Sequence, residues 1–226
     1  MKKVDKKKLS ENDICDLYIT PSIISAGYDR EVHIRREVTL TPGTIEVFGD
    51  LARRNKKKRK RADYVIYKKD NLPIAIVEAK DNKAGVSDGM PQAIKYASIL
   101  KVPSALSSNG DAFAYLNMSS NEELEKQISM ENFPKPDELW KNYLKFKGLD
   151  NDNEEILEEY HKDKRKNPRY YQIIAINTLI EAILKKKKRL LLVLATGTGK
   201  TYVAFQTIWR LLKSKVVKRV LFLADR

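Results

Sequence analysis

The sequence predicts an α/β protein in two parts: a domain of short strands and helices, then the start of a parallel α/β unit. Three observations carry this. Short apolar segments bounded by turn residues fill the first half. From Ser119 the composition turns polar, with Pro134, Pro136 and an acidic stretch between Asp150 and Glu159. After that come an apolar strand, a Gly-rich turn, a helix and a second apolar strand, the order of a βαβ unit. The expected divisions are a first domain over 1–118, a linker with short helices over 119–166, and the opening of a second domain over 167–226.

Ser10-Glu11-Asn12-Asp13 opens the first helix, with Ser10 and Asp13 spaced as a capping box. Ile14, Leu17 and Tyr18 continue it, and Gly27 ends it. Val32, Ile34, Val38 and Leu40 alternate with polar residues and read as strand; Thr41-Pro42-Gly43-Thr44 turns into a returning strand from Ile45 to Phe48. The stretch from Ala52 to Arg61 is dominated by like charge and predicts an exposed, mobile loop. Ala62 to Tyr67 and Ile74 to Ala79 are two apolar strands turned by Lys69 to Pro73. Met90 to Leu100 is a helix with Ala93, Ile94, Ala97 and Leu100 on one face. Ser104 to Leu106 and Ala112 to Tyr115 are strands about the Asn109-Gly110 turn. In the second domain, Tyr171 to Leu184 and Gly199 to Lys213 are helices, and Leu190 to Leu194 and Arg219 to Leu223 are buried strands. Two strands do not make a stable sheet, so this domain is expected to be truncated.

Composition excludes several chemistries. Cys15 is the single cysteine, and His33 and His161 are the only histidines, so a thiolate or His-rich zinc site does not fit. A catalytic metal would need carboxylate oxygens, which favours a hard cation such as Mg²⁺. No apolar run approaches the roughly 18 residues that span a membrane, and no signal-peptide core follows the basic N-terminus. A cytoplasmic protein without a membrane partner is expected. The formal net charge of +14 points to a polyanion, with nucleic acid the first candidate.

Asp63, Glu78 and Lys80 stand out chemically. Glu78 and Lys80 lie two apart on a strand and face the same way. A hairpin turned near Asp70 and Asn71 puts Asp63 roughly opposite Glu78, where two carboxylates repel unless a proton or cation lies between them. Mg²⁺ held by Asp63, Glu78 and the Ala79 carbonyl would serve phosphodiester hydrolysis, with Lys80 on the attacking water. The basic run Arg53, Arg54, Lys56, Lys57, Lys58, Arg59, Lys60 and Arg61 lies just before Asp63, placed to draw in a DNA backbone. Gln92 and Tyr96 share a helix face at i, i+4. The plainer reading, a polar cross-strand pair on a solvated sheet, stays open on spacing alone.

Ala195-Thr196-Gly197-Thr198-Gly199-Lys200-Thr201 between a strand and a helix is a P-loop with Ala195 in place of its usual first glycine. Gly197, Thr198 and Gly199 turn backbone N–H groups toward phosphates, Lys200 reaches the β and γ phosphates, and Thr201 binds Mg²⁺. Hydrolysis also needs an acidic residue after a later strand, so negligible ATPase activity is expected of these 226 residues alone.

Taken together, these residues resemble the R (restriction) subunit of type I restriction-modification enzymes. The stretches that carry the resemblance are Arg61-Ala62-Asp63-Tyr64-Val65, Val77-Glu78-Ala79-Lys80-Asp81-Asn82, Ser107-Ser108-Asn109-Gly110-Asp111, the P-loop and Leu223-Ala224-Asp225-Arg226. The resemblance implies a PD-(D/E)xK nuclease on a mixed sheet flanked by helices, with Asp63, Glu78 and Lys80 catalytic and Gln92 and Tyr96 its QxxxY accessory pair. Ala62 replaces the proline of that motif. It further implies the first RecA-like lobe of a superfamily 2 translocase, with Gln172 of Pro168-Arg169-Tyr170-Tyr171-Gln172 reading adenine. Such subunits cut double-stranded DNA, pump it with ATP, and work on a methyltransferase–specificity core that binds S-adenosylmethionine. Two other readings share the residues: a helicase-nuclease of DNA repair, and a non-catalytic DNA-binding or subunit-docking domain ahead of a motor.

Overall fold

The computed structural model describes residues 5–41, 43–48, 51–55, 59–119, 125–150, 154–161 and 168–224. The chain forms two compact units: Met1–Lys69 with Pro73–Phe146, and Asp70–Leu72 with Lys147–Arg226. The expectations for Lys56, Lys57, Lys58 and Asp225 fall outside the described residues. No helix among those described is long and apolar enough to cross a membrane.

The first unit is built on a six-stranded mixed sheet in the order β1-β4-β5-β6-β7-β8. β1 (Ile34–Thr41) pairs antiparallel with β4 (Lys60–Lys69). β5 (Leu72–Ala79) runs parallel to β6 (Ser104–Ser108), which is antiparallel to β7 (Ala112–Asn117); β7 is antiparallel to β8 (Lys126–Ser129). Only Asp70 and Asn71 separate β4 from β5, so the two are antiparallel, and Asn71 takes the left-handed conformation (φ 64°) that such a turn requires. All eight residues of β5 are buried, as expected of a strand covered on both faces. The parallel step from β5 to β6 needs a crossover, which α3 (Met90–Leu100) supplies, burying Met90, Ala93, Tyr96, Ala97 and Leu100.

At the N-terminus, α1 (Glu11–Ile14) and α2 (Thr20–Ser25) flank a π-helical turn over Cys15–Ile19. The capping box is present. Ser10 Oγ accepts the Asp13 N–H at 3.2 Å, and Asp13 Oδ2 accepts the Ser10 N–H at 2.9 Å. Ile14, Ile19 and Ile23 are fully buried.

Several expectations are corrected. The returning strand β2 (Thr44–Phe48) pairs with β3 (Leu51–Asn55) in a separate two-stranded sheet, not with β1. The basic run is therefore not a plain loop: Arg53 and Arg54 lie in β3, and Lys60 and Arg61 in β4. Ladder bonds hold these charged residues extended, β3 against its neighbour β2 and β4 against the more distant β1, where Arg61 pairs in register with Thr39. β1 itself is irregular. Glu37 is left-handed (φ 54°), and the register to β4 shifts between Thr39 and Thr41. The first unit also continues past residue 118. In α4 (Pro136–Lys147), Leu139, Trp140, Tyr143 and Leu144 are buried, and Asn142 Nδ2 donates to the Tyr115 hydroxyl at 2.9 Å.

The second unit holds α5 (Glu154–Glu158), α6 (Tyr170–Leu184) and α7 (Lys200–Lys213). Ala175, Ile176 and Val203 form its core, joined by Tyr160, Leu179, Leu194 and Tyr202. The strands expected at 190–194 and 219–223 are not formed. A strand exists through a neighbour's backbone, and neither segment has a ladder among the described residues. Leu191, Val193, Leu221 and Leu223 are each at least 80% exposed.

Ser10→Ala removes one half of the capping box. It is expected to lower the stability of the first unit by about 1 kcal/mol, read as a smaller midpoint in urea unfolding.

Candidate active site

The hairpin β4–β5 brings Asp63 and Glu78 together. The Asp63 N–H donates to Glu78 Oε1 at 3.3 Å, and the Ala79 N–H donates to Asp63 Oδ2 at 2.8 Å. Each carboxylate thus touches the other residue's strand. Glu78 is completely buried, and its second oxygen, Oε2, has no hydrogen-bond partner. Burial, followed by the neighbouring Asp63 charge, pushes Glu78 from the ordinary 4.5 up to about 9. An anion in such a place calls for a proton or a cation.

Lys80 follows at the end of β5, half-buried, its N–H bonded to the Ser108 carbonyl at 2.9 Å; its charge favours ionised Glu78. Gln92 and Tyr96 come to the same place on α3. Gln92 Nε2 donates to the Tyr96 hydroxyl at 3.3 Å. Burial and the nearby Glu78 and Asp63 charges hold that hydroxyl above the usual phenol range.

Three residues that the sequence did not flag complete the site. Gly89 caps α3 where Glu78 passes. A Cβ there would meet Ser107 Oγ at 2.6 Å and Glu78 Cβ at 3.2 Å, so a side chain at this position would displace the Ser107 hydroxyl and crowd Glu78. Ser107 is the β6 residue in register with Glu78, and its Oγ accepts the Gly89 N–H at 3.1 Å. Glu11, at the start of α1, lines a cleft of about 250 Å³ with Arg36, Glu37, Arg61 and Asp63. Desolvation, then the Asp63 charge, raises its carboxyl. Local sequence carries no signal for this meeting, because Glu11 and Asp63 are joined only through the tertiary fold.

Of the basic run, Arg61 reaches the cleft, paired with Glu37 at 3.4 Å, while Arg53 and Arg59 are exposed. Among the described residues, no three His, Cys, Asp or Glu side chains converge as a metal-binding group. The protein offers Asp63 and Glu78, with the unpartnered Glu78 oxygen as the observation that fits a divalent cation.

In the second unit, Gly197 (φ 76°) and Gly199 (φ 88°) turn the loop into α7, a conformation that favours glycine. Lys200 Nζ donates to the Leu194 and Ala195 carbonyls at 3.3 and 3.4 Å. Gln172 is engaged at both ends of its amide. Oε1 accepts the Arg169 N–H at 2.8 Å, and Nε2 donates to the Thr198 carbonyl at 2.9 Å. Gln172, expected on a base, here braces the loop before α7 through Thr198.

Two family models match the chain: "Type I restriction enzyme R protein N terminus (HSDR_N)" over residues 25–134, and "Type III restriction enzyme, res subunit" over residues 165–226. The Type I restriction enzyme EcoAI endonuclease subunit of Escherichia coli is 45% identical over 230 residues, covering 100% of this chain and 28% of that subunit. The chain belongs to the family of type I restriction enzyme R subunits.

The EcoKI endonuclease subunit of Escherichia coli strain K12 is 48% identical over 58 residues, 26% of this chain and 5% of its own length. A solved fragment structure, assigned to the HsdR subunit of a type I restriction enzyme from Vibrio vulnificus YJ016, superposes with a TM-score of 0.77 at 37% identity. It covers 92% of this chain and 39% of that one. The chain therefore spans well under half the length of these R-subunit relatives. The first family match holds Asp63, Glu78, Lys80, Gln92 and Tyr96, and the second holds Gln172 and the phosphate loop.

The buried Glu78 gives this R-subunit chain a characteristic pH response. Between pH 4.5 and about 9 the folded chain keeps a proton that the unfolded chain has released. Stability therefore falls as pH rises across that window, by up to about 1.4 kcal/mol per pH unit. Unfolding in EDTA from mildly acidic to mildly alkaline pH should show this loss in the parent and a much flatter profile in Glu78→Gln. Parallel profiles for the two would contradict it.

Proposed function

We propose that this chain is the front of a DNA-cutting, ATP-driven R subunit, with a Mg²⁺-dependent nuclease site on β4 and β5 and a nucleotide site at the start of α7. The observation that carries the nuclease reading is the buried Glu78 beside Asp63 with an oxygen unpartnered. Asp63 and Glu78 are the residues that would hold the metal, with the Ala79 carbonyl as a further ligand. A bound divalent cation would neutralise phosphodiester charge and acidify a water. Lys80 would orient that water and offset developing charge. Gln92 and Tyr96 brace the face of α3 against Glu78, and the narrow packing at Gly89 keeps bulk water from the carboxylate's inner side.

The rest of the reading follows the family. A PD-(D/E)xK arrangement accounts for the first unit, and a RecA-like lobe of a translocase for the second. Segments 190–194 and 219–223 would become strands once neighbouring strands pair with them. ATP would sit on Gly197, Thr198, Gly199, Lys200 and Thr201. Double-stranded DNA is the substrate, and methyltransferase and specificity subunits, through which S-adenosylmethionine enters, are the partners. The charge of +14 suits DNA better than a protein partner alone, which favours this reading over a docking domain.

The nuclease test uses the full-length subunit assembled with its partners. Mg²⁺-dependent nicking of duplex DNA should drop at least 100-fold in Asp63→Asn and in Glu78→Gln, with DNA binding retained. Undiminished nicking in both variants would leave the non-catalytic reading standing.

The nucleotide site can be tested on the chain itself. Lys200→Ala should weaken binding of a fluorescent ATP analogue by tenfold or more, since the charge-assisted contact to the phosphates is lost. Equal affinity in the variant would remove the phosphate loop from the reading.

A further inference from the structure

One basic element remains unused by the reading above. The 3₁₀ turn Lys6–Lys8 precedes α1 and is capped by Asp5, whose side chain accepts the Lys7 N–H at 3.2 Å. It is fastened to the nuclease core at its first residue. Lys6 Nζ donates to the Gly110 carbonyl at 2.7 Å and to Asp111 Oδ1 at 2.9 Å, and lies 4.3 Å from the centre of the Tyr18 ring. Asp111 in turn accepts from Asn82 Nδ2 at 2.9 Å, two residues beyond Lys80. Asn82 also donates to the Asn109 carbonyl at 2.9 Å. The Lys6 ammonium holds Asp111 below the usual carboxylate range.

These bonds place the turn beside the segment that leaves the catalytic strand. Its other end leads through Ser10 into Glu11, which lines the cleft at Asp63 and feels the charges of Lys80 and Asp81. Lys7 and Lys8 are exposed, and Lys8 has only a distant neighbour in Asp5 at 3.9 Å. Lys6 is thus committed to the fold, while Lys7 and Lys8 of the same turn are exposed and lie within four residues of Glu11, which lines the cleft.

We propose that the Lys6–Lys8 turn is a DNA-backbone contact of the nuclease, with Lys6 as its anchor and Lys7 and Lys8 taking phosphates of the duplex that enters at Asp63. This rests on the nuclease reading. The turn is tied by side-chain bonds to the loop that follows Lys80, through Asp111 and Asn82.

The experiment titrates a short fluorescent DNA duplex, without divalent metal, over a range of salt. It compares the parent chain, Lys7→Gln/Lys8→Gln, and a control of equal charge change, Lys141→Gln/Lys145→Gln, which are exposed positions on α4. Each phosphate contact contributes about 0.9 to the slope of log affinity against log salt. The Lys7/Lys8 variant should lose about 1.8 of slope, and the control much less. A slope equal to the parent's, or an equal loss in the control, overturns the proposal.

A second variant, Asp111→Asn, separates a seated turn from bulk charge. Removing a negative charge should tighten DNA binding if charge alone matters. Loss of the anchor should weaken it several-fold, and tighter binding overturns the anchoring. A parent chain that binds no duplex at all sinks this inference and strips the nuclease reading of its substrate. Normal parent binding with an unchanged slope in Lys7→Gln/Lys8→Gln sinks this inference alone.

Discussion

A fully buried carboxylate on the central strand is the constraint around which the first unit is arranged. Glu78 sits at a position where the other seven residues of β5 pack as core. Burying an unneutralised anion there is costly, so its surroundings are polar in a specific way. The Asp63 N–H, the Lys80 charge and the Gln92–Tyr96 pair all lie around it. The glycine at the start of α3 lets that helix close over the same side chain. Removing the carboxylate would relieve the cost of burying it.

Much of this was legible in the sequence because the decisive contacts are local. Asp63 and Glu78 are joined by one hairpin whose turn residues are explicit, so their meeting follows from strand period and turn position alone. The Ser10–Asp13 capping box, the α3 helix and the Asn109-Gly110 hairpin were readable for the same reason. Reading failed where like charge masked a local pairing or where the partner is distant. Like charge suggested a loop from 52 to 61, yet backbone pairing with β2 and β1 holds Arg53, Arg54, Lys60 and Arg61 as strand. Proline and acidic residues suggested a linker after 118, yet Leu139, Trp140, Tyr143 and Leu144 give α4 a buried face. Glu11 reaches the cleft only through tertiary folding, which no spacing rule encodes.

The second unit shows the converse. Its helices form as their periodicity predicts, because an α-helix satisfies its own backbone. The two apolar segments do not become strands, because a strand depends on another chain segment for its hydrogen bonds. The glycine-rich loop before α7 is held by side-chain bonds. Gln172 holds the Thr198 carbonyl, and Lys200 holds the Leu194 and Ala195 carbonyls, so the loop is braced from two sides by side chains of the chain itself.

The irregular first strand of the sheet has a further consequence. β1 lies at an edge of the six-stranded sheet, where unpaired N–H and C=O groups offer a template to any other extended chain. The left-handed Glu37 and the register shift after Thr39 break that row of groups at two points. Arg35, Arg36 and Glu37 add charge along the same stretch. An intruding strand would find neither a continuous ladder nor a neutral surface, and so the edge nearest the cleft is poorly suited to sheet-to-sheet self-association.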